Sequence, residues 1–376
     1  MNMKPLAIYV HIPFCKRKCA YCDFASFAGC ESLYQQYFDT LGSEIDAWQH
    51  KLRNYTLRSI FFGGGTPSLV PAEYIAAAIE RIARYIEIPP DAEITIEANP
   101  GTVDMEKLTT YRSAGINRIS FGVQSFDADL LKTLGRIHTP EEAEKAVLMA
   151  KDAGFERISI DLMYALPNQT MQTWLSTIET ALALPIDHIS AYSLIVEAGT
   201  QMGKWVSEGS VKLPDEDTVN EMQRMAVAKF EKSGLKRYEI SSFAVPGSES
   251  RHNMAYWQDI DYLGLGCAAH SLMENKRFSN PDDLDTYLSG IRMMDITERS
   301  VSDRKEEIIM LSTRMTMGLD IAKWNSEFHE DFEEHYRKPI DKMKNYGLLE
   351  IENGFMRLTP MGMELQDAVV LEFLED

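Results

Sequence analysis

The sequence predicts an α/β fold built on a parallel sheet, followed by a smaller C-terminal module of helices and strands. Three observations support this prediction. Six short β-rich runs alternate with amphipathic helical stretches over about the first 240 residues, and a hairpin signal follows a helical region near the C-terminus. A length of 376 residues also suits one large domain of roughly 200–250 residues plus a smaller one.

The alternating part of the chain defines the sheet. The β-rich runs lie at 6–12, 57–62, 92–98, 116–123, 157–164 and 188–196, and the helical stretches lie at 32–52, 71–86, 104–114, 127–134, 140–153, 171–184 and 215–234. Because parallel strands need long crossover connections, and those crossovers are right-handed, this alternation predicts a parallel sheet covered by helices. Periodicity leaves open whether the sheet is open, a complete barrel or a partial one.

The chain after about residue 300 predicts the second module. An amphipathic helix opens it, further helices follow over 320–346, and Asn353-Gly354 is a strong signal for a two-stranded hairpin over 347–360. This order predicts a winged-helix-like module. From 327 to 376 there are thirteen Asp or Glu and five Lys or Arg, which favours packing or docking to a protein partner over DNA binding.

Composition narrows the class of protein. The chain is 45% hydrophobic and 25% charged, as ordinary globular proteins are. Its net charge of −19 opposes phosphate backbones and anionic lipid, so nucleic acid is not an expected partner. The first residues lack a basic stretch followed by an apolar run, and no later run reaches the ~18 apolar residues of a membrane span. We therefore expect a cytoplasmic protein that is not integral to a membrane.

Three of the five cysteines, Cys15, Cys19 and Cys22, follow the first predicted strand closely. Functional groups of parallel α/β folds gather on the loops after the carboxyl ends of strands. An odd number of cysteines without an export signal does not suit a disulfide framework, and thiolates are soft ligands that select zinc or iron–sulfur clusters. The spacing therefore predicts a metal site at the functional end of the sheet.

The number of thiols favours one kind of metal site. A [4Fe-4S] cluster held by three thiolates keeps one iron free to bind a substrate or cofactor. A structural zinc ion instead needs four protein ligands, so the zinc alternative requires His11 or Asp23 as the fourth. The basic residues 16–18 are also expected to lower the thiol pKa values.

These residues also carry a family resemblance. The C-x-x-x-C-x-x-C motif of Cys15, Cys19 and Cys22, with Tyr21 before the last cysteine, resembles the signature of the radical SAM superfamily, and GGGTP at 63–67 resembles its second motif. The resemblance implies a [4Fe-4S] cluster whose open iron is chelated by S-adenosyl-L-methionine (SAM), in a partial (β/α)6 barrel over 1–240. Matched to the coproporphyrinogen III dehydrogenase-like branch, it also implies SAM contacts at Tyr9, Tyr21, Gly64, Gly65, Thr66, Glu97, Gln124, Arg136 and Asp161.

The residue types at these positions suit SAM. Carboxylates and an amide match its ammonium group and ribose hydroxyls, and an arginine matches its carboxylate. The successive glycines let the backbone approach a charged ligand without a side-chain clash. The alternative for Glu97 and Asp161 is the capping of a following helix.

Further segments extend the resemblance over nearly the whole chain, to the group of coproporphyrinogen III dehydrogenase and the HemW-type heme chaperones. These segments are YVHIPFC (9–15), SFGVQSF (120–126) and DLMYALPNQT (161–170). Phe24 stands where the dehydrogenase pattern has a further cysteine. RHNMAYW (251–257) contains H-N-x-x-Y-W, which resembles the motif associated with heme binding in the HemW type, at His252, Asn253, Tyr256 and Trp257.

The H-N-x-x-Y-W motif follows a turn-rich stretch, 244–250, and we expect an exposed loop near the barrel mouth. Imidazole is a common ligand of heme iron, and aromatic side chains offer flat faces to a porphyrin. A packed surface cluster is the alternative interpretation of the motif. His270 is a rival heme ligand, although its Gly- and Ala-rich setting, like that of Cys267, suits close packing.

The sequence thus predicts a radical SAM barrel over 1–240, a heme-motif segment and connector over 241–300, and a winged-helix-like domain over 301–376. The expected function is that of a heme chaperone, which binds heme and transfers it to an acceptor protein in solution or in a membrane. No catalytic residue is assigned. One alternative is a radical SAM enzyme acting on a porphyrin, such as an oxygen-independent coproporphyrinogen III dehydrogenase, and another is a zinc-bound scaffold.

Overall fold

The structure, a computed structural model, describes residues 3–374. Its strands, in chain order, are β1 (Lys4–Ile12), β2 (Phe14–Cys15), β3 (Phe27–Ala28), β4 (Tyr55–Gly64), β5 (Glu93–Ala98), β6 (Arg118–Gln124), β7 (Arg157–Tyr164), β8 (His188–Ser193), β9 (Lys236–Glu239), β10 (Ser242–Ala244), β11 (Tyr262–Leu265), β12 (His270–Met273), β13 (Lys276–Ser279), β14 (Met294–Glu298), β15 (Leu319–Asp320), β16 (Leu349–Glu352) and β17 (Phe355–Leu358).

The α-helices alternate with these strands. They are α1 (Tyr34–Ala47), α2 (Gln49–Leu52), α3 (Ala72–Ala83), α4 (Met105–Ser113), α5 (Ala128–Leu134), α6 (Pro140–Asp152), α7 (Met171–Leu182), α8 (Gln201–Ser207), α9 (Glu216–Lys232), α10 (Arg251–Trp257), α11 (Leu284–Leu288), α12 (Val301–Thr313), α13 (Ile321–Phe328), α14 (Phe332–His335), α15 (Arg337–Asn345), α16 (Pro360–Glu364) and α17 (Gln366–Leu371). Among them, α8 lies between the β-rich run at 188–196 and the helical stretch at 215–234, where the sequence predicts no helix.

One mixed sheet of twelve strands forms the larger unit, in the order β14-β13-β12-β11-β1-β4-β5-β6-β7-β8-β10-β9. The six predicted strands are β1 and β4 to β8. They lie side by side in chain order, and each pairs in parallel with the next. The predicted parallel sheet with helical crossovers is confirmed.

Alternation along the strands separates a core layer from an inner face. In β1, Ile8 and Val10 are fully buried in the main hydrophobic core, which includes apolar residues of the flanking helices. Tyr9, between them, lines an internal cavity, as do residues from the other five parallel strands. Because successive side chains of a strand point to opposite faces, one face packs on the helices and the other encloses this cavity. The sheet therefore curls into the expected partial barrel.

Local signals explain where the helices begin and end. Before α6, the Thr139 hydroxyl accepts a hydrogen bond from the backbone N–H of Glu142, whose side chain accepts one from the Thr139 N–H. Pro140 then occupies the first helical position, and Gly135 ends α5 with a φ of 74°. Within residues 3–374, no helix combines the length and the hydrophobicity that a membrane crossing needs.

The strands after α9 widen the sheet on both flanks. β10 pairs antiparallel with β8 and with β9 on one side. On the other side β11 pairs in parallel with β1, and β12, β13 and β14 follow in antiparallel order. The segment 241–300 thus contributes strands to the same sheet as the barrel. The division of the chain at residues 240 and 300 stays a prediction.

The C-terminal unit has its own core. Helices α12 to α17 surround a three-stranded sheet, β15-β17-β16. A separate hydrophobic cluster includes the buried rings of Trp324, Phe332 and Phe373. Asn353 and Gly354 both have positive φ, 52° and 81°, as the tight hairpin between β16 and β17 requires. The winged-helix-like module is confirmed, with β15 as an additional strand.

Candidate cluster and cofactor site

The three clustered cysteines lie on the loop that leaves β1 and β2. Cys15, Cys19 and Cys22 are all partly exposed and line one cavity of about 150 Å³. The loop is held from two sides through Ala20. Its N–H donates to the Leu134 carbonyl at 3.0 Å, and its carbonyl accepts from the N–H of Met202, in α8, at 2.7 Å. The carboxyl end of α5 and the start of α8 therefore fix the position of the thiols.

Polar side chains contact two of the three thiols. The Arg136 guanidinium donates from Nη1 to Cys19 Sγ at 3.4 Å, and the Thr66 hydroxyl lies 3.5 Å from Cys15 Sγ. Burial raises the pKa of the Cys22 thiol, although the Phe24 backbone and Lys18 act in the opposite sense. The expectation that the basic loop lowers the thiol pKa is therefore wrong for Cys22, because burial outweighs the neighbouring charge.

The donor set fits a cluster better than a single ion. Among the described residues, no group of three or more His, Cys, Asp or Glu side chains is arranged to hold one metal ion. The zinc alternative needs His11 or Asp23. The His11 ring is buried, with Nε2 2.8 Å from the Ala25 carbonyl and Nδ1 3.0 Å from the Tyr9 hydroxyl, and Asp23 is exposed and does not line the cavity. A cubane instead takes one thiolate at each of three irons. Three separate thiols around one cavity suit that arrangement.

The same cavity collects the positions at which the family resemblance implies SAM. The predicted contacts that line it are Tyr21, Gly64, Gly65, Thr66, Glu97, Gln124, Arg136 and Asp161. Tyr9 does not line it and faces a second cavity deeper in the barrel. The structure thus brings thiols, glycines, two carboxylates and an arginine to one side of the barrel, where the parallel strands end. Their roles toward SAM remain predictions.

The two glycines allow close approach of neighbouring elements. A Cβ at Gly65 would stand 2.8 Å from the carbonyl oxygen of Phe14, and a Cβ at Gly64, where φ is 111°, would stand 2.6 Å from the His11 ring. Any side chain at Gly65 would therefore push on the backbone that leads into Cys15. Because of this contact, Gly65→Val would disturb the cluster loop as well as SAM binding.

Burial dominates the electrostatics of the two carboxylates. Burial, and then the neighbouring Asp161, raise the pKa of Glu97 to about 8, against a hydrogen bond from the Gly64 N–H at 3.2 Å. Burial also raises the pKa of Asp161, and the Ser190 hydroxyl moderates this shift. A group that binds next to both carboxylates and carries positive charge would favour their ionised forms.

A second cavity of about 160 Å³ lies beneath the first, inside the barrel, and Glu97 and Asp161 line both. Arg118 lines it too. This side chain is 3% exposed, and its Nε has no hydrogen-bond partner among the described residues. Sequence reasoning missed Arg118, which stands at the first position of β6. Alternation along this strand could have indicated an inward position, because Ser120, two residues later, also lines the cavity.

The H-N-x-x-Y-W motif lies at the opposite end of the barrel from the cysteines. It forms α10, whose backbone N–H groups at Arg251 and His252 donate to the carboxylate of Glu93, the first residue of β5. His252 is 1% exposed. The expectation of an exposed loop near the barrel mouth is therefore wrong: the Ser250 hydroxyl caps the segment as a helix, and Glu93 fixes it beneath the strands.

Hydrogen bonds occupy both ring nitrogens of His252. Nδ1 lies 2.9 Å from the Ser59 hydroxyl and Nε2 lies 2.9 Å from the Tyr256 hydroxyl. Burial, together with the charge of Arg118, lowers the pKa of His252 to about 3. In this arrangement the ring has no free nitrogen for iron, and its role as heme ligand stays a prediction.

The structure also shows where the other residues of the motif lie, and where His270, the rival heme ligand, lies. Asn253 and Tyr256 line the deeper cavity, and the Trp257 ring lies beneath the Arg314 guanidinium, 4.4 Å from it. The His270 side chain is exposed, but its glycine-rich setting is closely packed as expected, since a Cβ at Gly264 would clash with the His270 carbonyl oxygen. Cys267 is fully buried, as expected.

Comparisons with known proteins agree with this architecture. The family described as "Radical SAM superfamily" matches residues 9–181, and the "HemN C-terminal domain" matches residues 300–365. A solved structure titled as the radical SAM enzyme coproporphyrinogen III oxidase (HemN) from Escherichia coli has a TM-score of 0.87, covering 99% of this chain and 90% of that chain. Its sequence identity is 22%, so this likeness concerns the fold.

Relatives with higher identity narrow the family. A protein named "Heme chaperone HemW" from Lactococcus lactis is 35% identical, over 100% of this chain and 99% of that protein. A protein of the same name from Bacillus subtilis is 34% identical, over 97% of this chain and 98% of that protein. Since these relatives match from end to end, the chain belongs to the radical SAM superfamily and, within it, to the HemW family.

Proposed function

We propose that this protein binds heme and transfers it to an acceptor protein, and that its barrel mouth holds a SAM-binding [4Fe-4S] cluster. The names of the curated relatives support heme as the cargo. The observation that carries the choice between chaperone and porphyrin enzyme is the end-to-end match to proteins named heme chaperone HemW, at 35% and 34% identity.

The cluster loop supports the same choice. Phe24, at the position where the dehydrogenase pattern has a further cysteine, is 69% exposed and offers no thiol to the cavity that it lines. In our proposal Cys15, Cys19 and Cys22 hold the cluster, which supplies an open iron for SAM. The Arg136 guanidinium stabilises a thiolate at Cys19, and Glu97 and Asp161 receive the positive charges of SAM.

The proposal places this chemistry in the cytoplasm, with an acceptor that is either soluble or embedded in a membrane. One preparation decides between chaperone and enzyme. After anaerobic reconstitution, we expect saturable heme uptake in a spectral titration and no decarboxylation of coproporphyrinogen III when SAM and a reductant are added. Conversion of coproporphyrinogen III without heme uptake would assign the protein to the enzyme class instead.

The raised pKa of Glu97 predicts a pH-dependent affinity for SAM. With a pKa of about 8, the free Glu97 carboxyl is mostly protonated near neutral pH. Because SAM is cationic at its ammonium and sulfonium groups, it binds better to the ionised carboxylate. SAM affinity should therefore rise from about pH 6.5 to about pH 8 and then level off. Isothermal titration of the reconstituted protein at several pH values measures this directly.

The matched variants are Glu97→Gln and Glu80→Gln. The first should bind SAM more weakly, with a flatter pH profile. The second changes an exposed carboxylate on α3 and should reproduce the wild-type profile. Wild-type and Glu97→Gln profiles of the same shape would remove Glu97 from the SAM site.

A further inference from the structure

A buried arginine lies beneath the proposed cofactor site. Arg118, the first residue of β6, lines the deeper cavity of about 160 Å³. Its side chain is buried, and within residues 3–374 its guanidinium forms no hydrogen bond and no ion pair. Because a buried charge is costly without compensation, an unpartnered guanidinium in this position indicates an electrostatic role.

The register of the strands fixes the order of the charges along the barrel. Glu97 of β5 pairs with Ser120, two residues beyond Arg118, and Asp161 of β7 pairs with Gly122, two residues further. Both carboxylates also line the cluster cavity, whereas Arg118 lines only the deeper one. The two carboxylates therefore stand between the guanidinium and the site proposed for SAM.

This order lets the guanidinium act on both carboxyl groups. Burial raises the pKa of Glu97 and of Asp161, and the positive charge of Arg118 opposes both shifts. When both carboxylates are ionised, they and the guanidinium together carry one net negative charge. SAM has two cationic groups and one carboxylate, so it carries one net positive charge. The charges inside the barrel thus match the charge of the cofactor.

The other groups that face the carboxylates keep their charge state near neutral pH. Burial lowers the pKa of His252 to about 3, so its ring is neutral there. Burial and nearby negative charge raise the pKa of the facing tyrosines, which are Tyr9 of β1, Tyr21 of the cluster loop, Tyr192 of β8 and Tyr256 of α10. Arg136, on the cofactor side, is permanently charged and also acts on Asp161. Among the described residues that line the deeper cavity, the positive charge comes from Arg118.

We propose that Arg118 is a positioning residue of the SAM site, a fixed positive charge that favours the ionised forms of Glu97 and Asp161 and so prepares both for the cations of the cofactor. This inference rests on the SAM-binding cluster site proposed above. Because the carboxylates lie between the two positive groups, the guanidinium attracts them more strongly than it repels bound SAM. Arg118 therefore strengthens SAM binding where Glu97 would otherwise be protonated. At higher pH the carboxylates are ionised in any case, and only the weaker repulsion remains.

Isothermal titration of SAM into the reconstituted protein, between about pH 6.5 and about pH 9.5, tests this role. Arg118→Met removes the charge, so it should bind SAM about tenfold more weakly than wild type at the acidic end. Its affinity should continue to rise above about pH 8, where that of wild type levels off, and should exceed the wild-type value at the alkaline end. The two profiles should therefore cross, whereas a folding defect would weaken binding at every pH.

Three further variants serve as controls. Arg118→Lys keeps a positive charge at this position and should give a profile close to that of wild type. Arg118→Gln removes the charge with a polar side chain and should reproduce the profile of Arg118→Met, which keeps the test decisive if the apolar substitution does not fold. Arg84→Met removes an exposed positive charge at the end of α3 and should keep the wild-type profile. The iron–sulfur absorption of each sample reports whether the cluster loop is intact.

The outcomes separate this inference from the proposed function. If wild type binds SAM but the neutral variants keep its profile, or bind more weakly by the same factor at every pH, Arg118 has no electrostatic role and the proposed function stands. A displaced profile in Arg118→Lys as well would also overturn the inference, because the charge is retained there. If reconstituted wild type binds no SAM at any pH, the cofactor site of the proposed function itself fails.

Discussion

Replacing Cys15, Cys19 or Cys22 with alanine should abolish the broad [4Fe-4S] absorption of the reconstituted protein. All three thiols line one cavity, and the described structure provides no additional cysteine there that could take over a lost iron. A cubane held by two thiolates exposes two irons and is labile. We expect bound iron and cluster absorption near background in each variant, measured after anaerobic reconstitution alongside wild type.

Two other cysteines provide the controls for this experiment. Cys30 lies outside the cavity and directs its thiol to the Ala28 carbonyl at 3.6 Å. Cys267 is fully buried and directs its thiol to the Pro281 carbonyl at 3.3 Å. Cys30→Ala and Cys267→Ala should both reconstitute fully. Loss of the cluster in Cys30→Ala, or its retention in Cys19→Ala, would contradict the assignment.

His252→Ala should destabilise the whole barrel. Removing this buried ring leaves a cavity next to Phe61 and deprives the hydroxyls of Ser59 and Tyr256 of their partner. Losses of this kind cost about 3 kcal/mol. Urea unfolding should therefore give a lower midpoint with an unchanged slope. Spectral titration with hemin then measures heme uptake by the same variant.

His270→Ala is the matched control. Because His270 is exposed, this substitution should change neither the urea midpoint nor heme uptake. An unchanged midpoint in His252→Ala, together with lost heme, would make His252 a direct ligand.

The lowered pKa of His252 also predicts how the stability of the protein changes as pH falls. Its folded-state pKa of about 3 lies below its unfolded value, so the unfolded chain takes up the proton first as pH falls. The stabilisation that this lowered pKa reflects, measured as free energy of unfolding, is fully present above about pH 6.5 and is lost as pH falls toward 3.

The parallel strands and their helices could be predicted because the information is local. β-Rich runs, capping residues such as Thr139 and the Asn353-Gly354 turn all act within a few positions of the chain. The cysteine site could be predicted for the same reason, since its three cysteines lie within eight residues. Helix α8 was missed because its segment, GTQMGKWVSEG, has glycines at both ends and one within the helix.

The features that could not be predicted depend on contacts between residues that are far apart in the sequence. α10 lies under the barrel because the Glu93 carboxylate accepts two of its N–H groups across more than 150 residues of chain. β11 joins β1 in parallel, although its sequence, YLGL, is short and includes a glycine. A cleft lined by Lys4 and Ile260 of the barrel and by Trp324 of the C-terminal unit arises only where the two units meet, so no single stretch of sequence indicates it.

The first strand has a consequence for how such a protein diverges. β1 begins at Lys4, at the base of the barrel, and ends at Ile12, just before the cysteine loop. Nine residues at ~3.3 Å each span ~30 Å, and strands on both sides hold them at fixed length. Substitutions at one end of the strand therefore leave the contacts of the other end intact. Selection can therefore change the chemistry at the mouth of the barrel while the contacts at its base persist, and the scaffold that separates the two ends need not change.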